Sequence, residues 1–172
     1  MKFFAIVFCL VMARTSAQCS EFRSNPIRSM TNSVSTDTLP TVFMIGQFSD
    51  PFEKLNSSAR SLLEISQNDV YLAYDKWLDM LSELSSTADH LSFNLKGAKF
   101  WCSVYWNADG TIKHFAYYPK SGSINIDHDA FKNLLITFIA NYKMPIATDA
   151  PYYNYGSVVF PIPVKKQVAT KN

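Results

Sequence analysis

The stretch that most constrains this 172-residue chain is Lys99 to Tyr118, two aromatic-rich runs that meet at Asn107-Ala108-Asp109-Gly110. Phe100, Cys102, Val104 and Trp106 alternate with Trp101, Ser103 and Tyr105, the period of two that a β-strand imposes on its two faces. Both sets are bulky, so the spacing predicts a strand covered on both sides. Gly110 can take the positive φ that closes a type I turn with a bulge, after which Thr111 to Tyr118 returns antiparallel and Pro119 stops it. A lone hairpin is marginal in water. The rest of the chain must therefore supply a further strand and helices to cover it.

The further strand is predicted at Gly156 to Val164, with Val158, Phe160, Ile162 and Val164 on one face. Pro161 and Pro163 occupy alternate positions, so their missing N–H groups fall on one flank and normal pairing fails there. That places the strand at a sheet edge, with Gly156, Ser157, Val158, Val159 and Phe160 as the usable free stretch, about 17 Å long.

Helical spacing occurs three times. Asp50 can cap a helix with Pro51 in its first position and Glu53 completing a capping box, and Phe52, Leu55, Ala59, Leu62 and Leu63 then share a face. Asn68 and Asp69 mark a break and a second cap, followed by an apolar stripe of Val70, Ala73, Tyr74, Trp77, Leu81 and Leu84. Asp127 caps the third, where Phe131, Leu134, Leu135, Phe138, Ile139 and Tyr142 recur at helical intervals until Pro145. Before these, Thr41 to Ile45 is a β-like run ended by Gly46. The expected class is α+β: a three-stranded antiparallel sheet, hairpin plus C-terminal strand, packed on the helix of residues 127–142, with two additional N-terminal helices between Phe52 and Leu84.

Residues 1–17 read as a signal peptide, with Lys2, the apolar run Phe3 to Met12, and Thr15-Ser16-Ala17 before a cut at Gln18. The run is shorter than the roughly 20 residues of a membrane span, so the mature chain is expected to carry no transmembrane helix and to be periplasmic or secreted. Residues 18–41 are Ser-, Thr- and Asn-rich and read as a loose leader, residues 42–164 as a single domain, and residues 165–172 as a tail. Losing Lys2 and Arg14 from the 16 basic residues leaves as many bases as the 14 acids. A balanced chain with its one basic pair, Lys165-Lys166, near the tail is a poor fit to nucleic acid, whose phosphates require clustered cations. Cys9 departs with the signal, and Cys19 and Cys102 could pair in an oxidising compartment or remain apart. Asn56-Ser57-Ser58 fits a glycosylation acceptor, relevant in a eukaryotic secretory pathway.

Catalytic constellations are thin. His90, His114 and His128 are the only histidines, and no metal or cofactor motif surrounds them. Asp127-His128-Asp129 reads as helix capping rather than a metal cluster. A triad of His114, Ser103 and Asp109, or a Cys102 and His114 nucleophile pair, can be drawn, but a buried structural cysteine competes with the latter. Trp77, Trp101 and Trp106 read as core.

Taken in order, "VYWNADGTIKHFAYYPKSG", "DAFKNLLITFIANYKMP" and "VVFPI" give strand, Asp-Gly turn, strand, capped helix and a closing strand ending in Pro-Ile. This resembles the C-terminal domain family of TonB, the periplasmic energy transducer of Gram-negative bacteria, over about residues 98–164. The Ala17-Gln18 junction is similar to those of exported Bacteroidetes proteins. TonB proteins keep an N-terminal membrane helix and a Pro-rich spacer, whereas here the apolar segment looks cleavable and the following region has little Pro. The resemblance therefore implies fold and mode of contact without the transducing role. It implies a non-enzymatic domain with no cofactor, whose partner is an envelope protein or receptor peptide pairing with the edge at Gly156 to Phe160, helped by Tyr152, Tyr153 and Tyr155 or leaving these in a half-buried loop. Two other readings stay open: a secreted small-ligand binder with an aromatic pocket of Trp101, Tyr105, Phe115 and Tyr117, and a small Cys or Ser hydrolase.

Overall fold

A computed structural model describes residues 39–162, and the hairpin is its centre. β3 (Lys99–Trp106) and β4 (Ile112–Pro119) pair antiparallel, and β5 (Tyr152–Val159) lies antiparallel on the other flank of β3. This is the expected hairpin plus C-terminal strand. Two short strands, β1 (Val42–Met44) and β2 (Arg60–Ser61), then extend it at either end, giving a five-stranded mixed sheet of order β1-β4-β3-β5-β2. β1 runs parallel to β4 and β2 parallel to β5. The three-stranded antiparallel sheet is thus the middle of a larger mixed one, and β5 is its penultimate strand. It also starts earlier than predicted, at Tyr152, and ends before Pro161. Pro163, Val164, the tail, the signal segment, Cys19 and nearly all of the leader lie outside the described residues.

Gly110 closes the hairpin at φ +90°, donating to Asn107 O at 2.9 Å. A Cβ there would stand 2.3 Å from Met144 O, because Met144 N–H donates back to Gly110 O at 2.9 Å. Conformation and close approach both require glycine.

The sheet separates two environments. One face carries Phe100, Cys102, Val104, Trp106, Phe115, Tyr117 and Val158, and packs against α3 (Val70–His90) and α4 (His128–Asn141). Phe131 of α4 stacks on Phe100 with centroids 4.6 Å apart and meets Tyr117 edge-on at 5.0 Å. Trp77 of α3 stands edge-on to Trp106 at 6.5 Å. The opposite face is covered at the β1 end by α1 (Ser49–Ser58), whose Phe52 meets Phe43 and Tyr105 edge-on.

Helix boundaries follow the capping chemistry in two cases and depart in one. Asp69 accepts from Tyr71 N and Leu72 N, and Asp127 from Asp129 N and Ala130 N, as their sequences predict. α1, by contrast, begins at Ser49 with Asp50 inside its first turn and no side-chain cap. It ends at Ser58, and β2 and a one-turn helix α2 (Leu62–Ile65) replace its expected continuation. The reason is Ser61, whose hydroxyl accepts from Glu64 N while the Glu64 carboxylate accepts from Ser61 N, both at 3.1 Å. That reciprocal box starts a new helix.

Candidate functional site

Strand hydrogen bonds alternate between the two flanks, and one terminal pair sets the phase for β5. Phe160 N–H donates to Ala98 O at 2.9 Å and Gly97 N–H to Phe160 O at 3.1 Å, so Phe160 faces β3. Val158 and Gly156, at the same parity, also turn their amides inward to β3, opposite Phe100 and Cys102. Tyr155, Ser157 and Val159 turn theirs outward. On that outward flank, Arg60 N–H donates to Pro151 O and β2 pairs with Tyr152 and Tyr153. Beyond Tyr153, no strand among the described residues pairs with β5 on this side.

The predicted edge of Gly156, Ser157, Val158, Val159 and Phe160 therefore divides. Ser157 and Val159 are on the rim and exposed, while Val158 and Phe160 are 2% and 3% exposed and spend their main-chain groups on the molecule's own ladder. Tyr155, 54% exposed, belongs to the rim instead. Tyr152 to Tyr155 are strand, not loop: Tyr152 stacks on buried Trp106, Tyr153 on Tyr105 and Tyr155 on Trp101.

A groove runs beside this rim. α3 forms its wall, and two adjacent hollows of about 340 and 290 Å³ share Tyr74, Trp77 and Ser157. The first is bordered also by Leu63, Val70 and Tyr155, the second by Leu78, Leu81 and Ile162. Gly156 allows the close fit of its floor, since a Cβ there would come 3.3 Å from Trp77 Nε1. Val70 and Tyr74 were expected on the core stripe of the helix. They are 63% and 57% exposed, because the buried stripe of the helix is Ala73, Trp77, Met80, Leu81, Leu84 and Ala88, which leaves Val70 and Tyr74 at the open margin of the groove.

No protein-family model, curated protein or solved structure matches this chain.

The remaining candidate residues resolve through the two faces of the sheet. Trp101 is 38% exposed on the outer face rather than core, with Lys120 Nζ 4.5 Å from its centroid and donating to Ser157 Oγ at 2.7 Å. Cys102 is buried on the inner face, where burial pushes its thiol far above the ordinary range. His114 is on the outer face, paired with Tyr105, so the sheet itself stands between the two members of the proposed nucleophile pair. The drawn triad does not assemble either. Ser103 Oγ donates to Tyr105 Oη at 3.1 Å, His114 Nδ1 donates to Pro40 O at 3.0 Å, and Asp109 accepts from Thr111 N and Oγ1 in the hairpin turn. Those Thr111 bonds hold the Asp109 carboxyl below its usual range. Burial lowers the His114 pKa against the opposing effect of the Pro40 carbonyl.

The four aromatics of the expected ligand pocket are likewise split, with Phe115 and Tyr117 in the inner core and Trp101 and Tyr105 on the outer face. Asn56 of the glycosylation sequence accepts from Tyr105 Oη beneath α1, so its amide is structural. Asp127 is occupied as the α4 cap, and His128 stacks on Tyr117. Among the described residues, no helix is long and apolar enough to cross a membrane.

Proposed function

We propose that this chain is an exported, non-enzymatic protein-contact domain of TonB C-terminal type, periplasmic or secreted. It binds an envelope protein or receptor peptide by adding that partner's strand to the outward flank of β5. The observation that carries this reading is the coincidence of a strand rim that no strand among the described residues pairs with, Tyr155, Ser157 and Val159, and an apolar groove alongside it. An incoming strand gains main-chain hydrogen bonds worth about 0.5–1.5 kcal/mol each, and alternate side chains enter the groove against Tyr74, Trp77 and Leu78. The Asn154 to Val159 stretch spans about 20 Å, long enough for three residues of the partner to bond it.

The test is crosslinking from a photoreactive residue at Tyr155 in an envelope extract, with Ser157→Pro as the critical variant. Ser157→Pro removes an outward N–H and leaves the inward ladder intact, so a crosslinked partner should be lost while the fold is kept. An unchanged crosslink pattern in Ser157→Pro sinks the reading.

A second reading has one observation in its favour: a hollow of about 340 Å³ lies at the lower end of small-ligand sites. An apolar ligand there needs Trp77 and Tyr74 but no β5 amide. Its binding would survive Ser157→Pro and fail in Tyr74→Ala.

A further inference from the structure

The chemistry of the partner strand is written on the two faces beside β5. Resting on the strand-addition reading above, the geometry points to a partner whose central three residues run apolar, acidic, apolar. The two apolar side chains enter the groove, and the carboxylate meets Lys120 opposite Ser157.

Parity separates the two faces. Gly156 and Val158 pair with Cys102 and Phe100 of the inner face and lie on the groove side. Ser157 pairs with Trp101, so the side chains of Tyr155, Ser157 and Val159 rise on the outer face, away from the groove. A residue directly opposite Ser157 on an added strand shares that outer face, and its two neighbours turn toward the groove. An apolar, acidic, apolar triplet reads the same in both chain directions, so the pattern suits an antiparallel or a parallel partner.

The faces differ in charge. Among the described residues, no charged side chain borders either hollow. The outer face is basic by contrast: β3, β4 and β5 contain no Asp or Glu, and Lys120 reaches from the end of β4 across Trp101 to the rim strand. Its Nζ stands 4.5 Å from the Trp101 ring centroid and donates to Ser157 Oγ at 2.7 Å. Among the described residues it has no carboxylate within ion-pair reach.

This ammonium makes the rim selective. One of its three N–H groups is used on Ser157, and an arriving strand displaces water from the others. A neutral strand offers nothing in return, and a basic one adds repulsion. A glutamate opposite Ser157 starts about 4.5–5.5 Å away at its Cβ and extends its carboxylate to the ammonium, giving a charge-assisted hydrogen bond. Lys120 thus discourages indiscriminate edge pairing and admits a strand that neutralises it.

The experiment uses short dye-labelled threonine peptides whose central three residues are valine-glutamate-valine, valine-glutamine-valine or valine-lysine-valine, titrated into the full chain and followed by anisotropy. The glutamate probe should bind about threefold to tenfold more tightly than the glutamine probe, and the lysine probe most weakly. Lys120→Glu should reverse the order of the glutamate and lysine probes. Lys113→Glu, the same change of charge at the far end of β4, should leave the order as it was. Equal binding of the glutamate and glutamine probes, a glutamate preference that persists in Lys120→Glu, or no binding by any probe overturns the inference. Ser157→Pro separates this failure from failure of the strand-addition reading. If the probes bind equally and all are lost in Ser157→Pro, strand addition stands and only the acidic preference falls. If a Lys120-dependent preference survives Ser157→Pro, the carboxylate meets the cation without strand pairing, and both fall.

Discussion

The two flanks of the antiparallel core are built from similar strands and finished in opposite ways. Along β4, Phe115 N–H donates to Thr41 O and Tyr117 O accepts from Ile45 N, both at 2.8 Å, so β1 uses the outward groups of that flank. Val42 and Phe43 are buried in making this seal, at 3% and 4% exposure, and α1 lies over it. Along β5, β2 reaches two residues and stops. Among the described residues, edge protection is therefore local: a strand of three residues suffices where it brings an aromatic anchor, and a strand of two residues leaves most of the rim without a paired strand.

The largest effect should come from breaking the sealed flank. Phe43→Ala removes a ring that meets Phe48, Phe52 and His114, and large core truncations of this kind cost about 3–5 kcal/mol. Chemical denaturation should show that loss, whereas Val159→Ala on the open flank should cost less than about 1 kcal/mol. Comparable losses at both positions would remove the distinction between the flanks.

Proline tests the phase of β5 at neighbouring positions. Val158→Pro deletes an inward ladder bond and disturbs a buried side chain, so a loss of about 2 kcal/mol or more is expected. Ser157→Pro removes an outward N–H that no strand among the described residues pairs with, and should change stability by under about 1 kcal/mol. Thermal melts of the pair decide it. If Ser157→Pro is the more damaging, the inward and outward assignments of these residues are reversed.

The sequence contained part of this phase. Pro161 cannot donate, and by alternation it shares its flank with Ser157 and Val159, so the parity of the rim was readable from one proline. Treating Gly156 to Phe160 as a continuous edge missed that a strand residue serves one neighbour at a time. The hairpin, α3 and α4 were legible because period, turn glycine and caps agree over long stretches. β2 and α2 were hidden because Leu55, Leu62 and Leu63 continue a helical period, although Ser61-Leu62-Leu63-Glu64 carries the capping box that interrupts it. The groove was not legible at all. It depends on the rotation of α3 against the sheet, which exposes Val70 and Tyr74, and apolar periodicity gives the stripe's existence but not which of its margins meets a neighbour.

A smaller effect should distinguish the flanks by pH. His114 is buried under the sealed side, between Phe43, Tyr105 and the Pro40 carbonyl, and its pKa is lowered chiefly by burial, with Lys113 adding to the same direction. The unfolded chain therefore takes up this proton first as pH falls. The stabilisation is present above about pH 6.5 and is lost as pH drops through the lower folded value. In a pH series of denaturation midpoints, His114→Gln should flatten the decline below pH 6.5. A series with the same slope in both proteins would show that protonation of this ring is not linked to the seal.

The smallest effect belongs to Val159→Lys. Val159 is 49% exposed, lies on the outer face and turns its amide away from β3, so exchanging it for lysine removes little buried surface and no internal bond. Stability should remain within about 0.5 kcal/mol. Lysine on an exposed edge nevertheless opposes strand addition, because a strand arriving on that flank must pack beside its hydrated ammonium. Val159→Lys should therefore weaken the Tyr155 crosslink while leaving the melting curve almost unchanged, and the corresponding substitution Tyr118→Lys, on a strand whose outer flank is sealed, should affect neither. A crosslink that tolerates lysine at position 159 would mean that contact occurs over the groove wall of α3 without pairing to β5.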